Sequence, residues 1–172
     1  MIMADVLKIV FLILGFQIVY VCYWLASEAL FPSFVDRARE QYQSHAFKIT
    51  LLGVLVFVPL VFAGIAIGKM PNPFFKFVGV FLGSVPVLLG LVGSAGLSRR
   101  IGIGLPSSLD ETQPWRRGLR GGIVLVFVFL LPVIGWFVVM PLTIASGVGA
   151  ALVAWAQRKK QIAPTPPAET KA

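Results

Sequence analysis

No Asp, Glu, Lys, Arg or His occurs anywhere in residues 121–157, a stretch of 37. Three more charge-free stretches precede it, at 9–27, 49–68 and 77–98, and the four together hold 98 of the 172 residues. A crossing of a hydrocarbon core roughly 30 Å thick takes about 20 apolar residues. Each stretch is therefore long enough to span or nearly span a bilayer. Charged residues make up only 13% of the chain, against roughly 25% in ordinary soluble domains. Mean hydropathy is +0.89. The expectation is an all-α, polytopic transmembrane helical bundle.

The longest stretch decides the topology. As one straight helix, residues 121–156 would reach about 54 Å at 1.5 Å per residue, too far for a core of roughly 30 Å. Its middle carries Pro132, Gly135, Trp136 and Pro141, and closely spaced Pro and Gly mark a turn. A Pro/Gly hairpin is predicted, with arms at 119–134 and 137–156. The other spans fall at 5–31, 47–68 and 74–98, giving five, or four if the last run crosses once. Lys and Arg counts test this independently. A single crossing divides them 8 to 7 between the two faces, whereas a hairpin divides them 12 to 3. Membrane proteins normally show a strong bias, which favours the hairpin, with the N-terminus outside and the C-terminus cytoplasmic in a bacterial inner (plasma) membrane. A re-entrant loop turning back at shallower depth gives the same sidedness. Residues 1–160 thus form one transmembrane domain. The Pro/Ala-rich tail, 161–172, is expected to be disordered.

Helix 1 should end before Pro32, with Ser33 capping a polar helix that carries Asp36 and His45. Lys69, Met70, Pro71, Asn72 and Pro73 make a tight turn. The first apolar stretch reads as a retained helix, because 19 residues exceed a signal-peptide core. Cys22 is the single cysteine, so the chain has no internal disulfide.

The net charge of +8 does not point to nucleic acid. The cations sit at the ends of apolar runs: Arg99, Arg100, Arg116, Arg117, Arg120, Arg158, Lys159 and Lys160. Such clusters act as topology signals and contact anionic lipids. Small residues recur at helical spacing: Gly64 and Gly68; Gly79, Gly83, Gly90 and Ser94; Gly118 and Gly122; Ala145 with Gly149 and Gly147 with Ala151. This pattern lets helix backbones approach closely in lipid. It serves packing within the chain's own bundle or docking onto a partner.

Chemistry is scarce. His45 is the only histidine, which excludes bis-His haem, HExxH zinc and Ser-His-Asp arrangements within one chain. Asp110 and Glu111 follow Ser107 and Ser108 as a helix start would. Lys8 and Glu28 lie about 30 Å apart along one helix, so they do not pair, and with Lys76 they are expected to snorkel to the interfaces. Gln17 is the one strongly polar side chain at mid-depth of the first span. No cofactor is implied. The expected function is that of a non-catalytic integral membrane protein, an accessory or scaffolding subunit partnered by membrane lipids and by other membrane subunits or a second copy. The alternative is a small transporter or channel.

Overall fold

A computed structural model describes residues 2–108, 110 and 112–162. Every regular element among them is helical: α1 (Ile2–Leu30), α2 (Pro32–Gly68), α3 (Pro73–Ile103), α4 (Trp115–Phe129), a π-helical turn (Gly135–Val139) and α5 (Met140–Ile162). Four segments are long and apolar enough to cross a membrane: Met3–Leu30, Pro32–Gly68, Pro73–Ile103 and Gly135–Gln157. The structure is thus all-helical, as the hydropathy pattern predicts. At 15 residues, or about 22 Å, α4 is not among them.

Local chemistry sets most of the boundaries. Pro32 takes the first helical position of α2, where no amide hydrogen is needed. The expected Ser33 cap does not form; Phe31 is the flanking residue and no side chain caps the helix. Asn72 caps α3, its Oδ1 accepting from the Phe74 amide at 3.0 Å. At His45 the backbone leaves helical geometry (φ −143°, ψ 42°), which bends α2 into a polar arm and an apolar limb. Asp110 sits in a turn, its amide bonded to the Ser107 carbonyl at 3.1 Å, not in the helix start that Ser107 and Ser108 suggested. The break in the long apolar stretch comes slightly earlier than the prolines imply. α4 ends at Phe129, and Gly135 opens the π-helical turn. A Cβ at Gly135 would lie 2.6 Å from the Val128 and Phe129 carbonyl oxygens, so only glycine fits.

Residue pairings give the helix directions. Gly64 meets Gly79 between α2 and α3, and Gly102 meets Arg117 between α3 and α4. Gly90 meets Ile144 and Gly93 meets Gly147 between α3 and α5. Trp24 meets Ser94, and Glu28 meets Arg99. So α1, α3 and α5 run one way, α2 and α4 the other. One end of the bundle, the turn end, carries the α2–α3 turn. The other, the loop end, carries the α1–α2 corner, the α3–α4 loop and the last turns of α5.

The core lies towards the loop end. Trp24, Val35, Ala95, Leu125, Val126 and Phe129 form one buried cluster; Ala38, Tyr42, Ile49 and Ala150 form another. Residues 3–12 of α1 are exposed without exception. Burial of α1 begins at Ile13, which lines a groove with Trp136 and Met140, and halfway along the helix Phe16 stacks on Trp136 (centroids 6.4 Å apart, planes at 19°). The tail beyond residue 162 lies outside the described residues, and α5 is still helical at Ile162.

Candidate functional site

Two features dominate the packed half: a seam of glycines and a rim of charge. In the seam, α5 is gripped on two sides. A Cβ on Gly149 would strike the Ile49 carbonyl of α2, and one on Gly53 would strike the Ala145 carbonyl. A Cβ on Gly147 would strike the Gly90 carbonyl of α3, and one on Gly93 the Gly147 carbonyl. The pairs 145/149 and 147/151 therefore serve different neighbours. α4 repeats the device, with Gly121 against Ser98 of α3, and Gly118 and Gly122 against Glu28 and Trp24 of α1. Side chains here would part backbones whose contact supplies the attraction between helices in lipid.

The predicted packing residues divide by direction. Gly64, Gly79 and Gly90 point into contacts, and Ser94 is fully buried. Gly68 and Gly83 point into open space; they offer only their backbones, Gly83 nitrogen lying 2.9 Å from a Cβ on Gly64. Gly53, Gly93, Gly96, Gly102 and Gly121 make contacts as close, yet were not singled out by spacing. The signal for some of them was present as a three-residue recurrence, Gly90, Gly93 and Gly96.

Polar groups in the packed half are spent on structure. Trp24 Nε1 donates to Ser94 Oγ at 2.9 Å, which in turn donates to the Leu91 carbonyl at 2.8 Å. Tyr42 Oη and Ser146 Oγ are bonded at 3.0 Å. Ser98 Oγ donates to the Gly118 carbonyl, and Thr143 Oγ1 to that of Val139. Buried polar atoms without partners are costly, and these have partners. Gln17 lies elsewhere, lining two small apolar grooves beside α4 and the π-helical turn.

The charged rim is at the loop end. Arg99 sits between two carboxylates on different helices: its Nε lies 3.3 Å from Glu28 Oε1, and its Nη1 lies 3.0 Å from Asp36 Oδ1. Glu28 therefore does not snorkel alone, as sequence reasoning expected. Its partner is 71 positions away, a distance that no local spacing rule reaches. Arg117 and Arg120 share Asp110. Removal from water pushes the Asp110 carboxyl up. Hydrogen bonds from Arg120 and the Ser107 amide, with the charges of Arg120 and Arg117, outweigh that and hold it below 3.8. Arg116 lies over the Trp115 ring at 5.7 Å. Arg100 is half-buried at the end of α3. Arg158, Lys159 and Lys160 belong to the last turns of α5, and their side chains lie outside the described residues. His45 is exposed at the α2 bend. Among the described residues, no three of His, Cys, Asp and Glu are grouped to hold a metal.

No protein-family model, curated protein sequence or solved structure matches this chain.

Proposed function

We propose that the protein is an integral membrane scaffold, an accessory subunit of a larger membrane assembly, that crosses the bilayer three times and adds a re-entrant helix pair. Three crossings are α1, the apolar limb of α2, and α3. The re-entrant pair is α4 and α5. Support comes from depth. Trp136, in the turn between α4 and α5, stacks on Phe16, the midpoint of α1. α4 runs antiparallel to α3 with Gly121 against Ser98, which puts its last residue, Phe129, about level with Gly90, close to the midpoint of α3. The turn thus begins level with the middle of the neighbouring helices, and α4 is short because it goes only that far. Both ends of the pair return to the loop end, which carries most Lys and Arg. On the positive-inside rule that end is cytoplasmic, in contact with an anionic leaflet, and the turn end is outside.

The observation that carries the scaffold reading is the bare half of α1. Its residues 3–12 include Val6, Leu7, Ile9, Val10, Phe11 and Leu12, all exposed. Beside them, on the turn-end side of the re-entrant pair, no helix among the described residues covers them. A photo-crosslinking residue at Val10 should give one discrete protein adduct in native membranes, whose mass separates a second copy from another subunit. Adducts to lipid alone would overturn the scaffold reading.

The transporter reading rests on Gln17, which faces the grooves. A permeation path needs polar lining, and the residues that line those grooves with Gln17 are almost all apolar. The purified chain in liposomes should show no solute flux above empty vesicles; saturable uptake lost on Gln17→Leu would reverse the order of the two readings.

A further inference from the structure

The outward ridge of α4 runs Arg116, Arg120, Ile123, Phe127, a spacing that keeps one helical face. Both flanks of this ridge are grooved. Towards α3 a cavity of about 480 Å³ is lined by Leu105, Pro106, Arg120, Ile123 and Val124. Towards α1 a cavity of about 340 Å³ is lined by Ile18, Cys22, Leu119, Ile123 and Phe127, among others. Ile123 belongs to both and divides them. The walls are almost wholly apolar, and both grooves open outward where lipid would lie.

The cations stand at the loop end of the same ridge. Arg120 bonds Asp110 through Nη2, while its Nε is buried without an acceptor. Arg116 makes no ion pair among the described residues and is steadied only by Trp115. Arg117 and Arg120 share one described carboxylate, Asp110, and Arg116 stands one turn from Arg120 on the same face of α4. The cluster calls for an anion, and the grooves beneath it call for two hydrocarbon chains. We propose that one two-tailed anionic phospholipid straddles α4. Its phosphate sits at Arg116 and Arg120, and one acyl chain lies in each groove. The lipid covers α4 where the protein does not, and so holds a short re-entrant helix in place. This rests on the loop end being at headgroup level.

The test is native mass spectrometry of the full chain released from detergent. The probes are dioleoyl phosphatidylglycerol, dioleoyl phosphatidylcholine and single-chain lysophosphatidylglycerol. Each arginine near an anionic headgroup contributes about fivefold in affinity. Retention of phosphatidylglycerol should exceed that of phosphatidylcholine by more than tenfold, and exceed that of the lyso form. Arg116→Gln, which breaks no ion pair, should reduce the preference about fivefold. Val124→Phe and Ile18→Phe, each filling one groove, should bring the diacyl lipid down to the lyso level. Equal retention of the two diacyl lipids, or an unchanged preference in Arg116→Gln, would overturn the proposal. So would equal retention of diacyl and lyso lipid by the parent chain. Labelling of Ser108→Cys with a membrane-impermeant maleimide, in a Cys22→Ser background and in intact cells and inverted vesicles, reads where the loop end lies. Lost selectivity with that end cytoplasmic counts against the lipid site and not against the topology.

Discussion

Replacing Gly147 by alanine adds one methyl group at one of the two tightest contacts made by glycines of α5. The new Cβ would fall on the Gly90 carbonyl oxygen, and within 2.8 Å of both the Gly90 carbonyl carbon and the Ser94 nitrogen. Those atoms are helix backbone and cannot rotate away. Ordinary contact is restored only if α3 and α5 part by about 1.5 Å, more than the ~1 Å gap that already forfeits up to about half of each dispersion contact. Overpacking of this kind costs about 1–3 kcal/mol. The expected loss is about 2 kcal/mol, because the backbone atoms on both sides are rigid. Gly83→Ala is the control. Its Cβ meets nothing within 4 Å, and alanine is the better helix former by up to about 1 kcal/mol, so the variant should be unchanged or slightly stabilised. Reversible unfolding in mixed micelles titrated with dodecyl sulfate, followed by tryptophan fluorescence, reads both. A Gly147→Ala variant within about 0.5 kcal/mol of the parent, the range of a surface substitution that disturbs nothing, would refute the seam. So would equal losses at Gly147 and Gly83.

In the same titration Arg99→Gln should cost about 2–3 kcal/mol, since it strands Glu28 in a largely buried site. Asp36→Asn should cost less than about 1 kcal/mol, because its carboxylate is 41% exposed; equal costs would contradict the assignment of Glu28 as the tighter partner. Asp110 titrates below 3.8 in the fold, so its contribution to the α3–α4 loop is complete above that pH and is lost as pH falls through the lower, folded value. Amide exchange in residues 105–108 should therefore stay constant from neutral pH to about 4.5 after correction for the intrinsic rate, and quicken below 3.8. Asp110→Asn should abolish that pH step, and a step that survives the substitution would assign it to another group.

Hydropathy was enough to read the helical class and the position of the first three helices long and apolar enough to cross a membrane, because lipid demands long uncharged runs and leaves them plain in the sequence. The break between α4 and α5 was legible for the same reason: Pro132 and Gly135 interrupt a stretch too long for one crossing. Its depth was not. Charge counting reports only which face a loop returns to, and a deep turn and a shallow one give the same count. The glycines were legible as a class but not as a set of contacts. Gly83 and Gly93 differ only in the direction their missing side chains would take, which depends on where α5 lies. The Glu28–Arg99–Asp36 cluster joins three helices. Each residue, read alone near the end of an apolar run, looks like an ordinary interfacial charge.

Depth at Trp136 bears most directly on the re-entrant architecture. In a Cys22→Ser background, single cysteines at Lys69, Trp136 and Ser108 would be exposed to a membrane-impermeant maleimide, in intact cells and in inverted vesicles. Lys69→Cys should react only from outside and Ser108→Cys only from inside. Trp136→Cys should react from neither face, since its partner Phe16 is at the middle of α1. Labelling of Trp136→Cys in intact cells, as readily as Lys69→Cys, would mean that α4 and α5 each cross the whole bilayer.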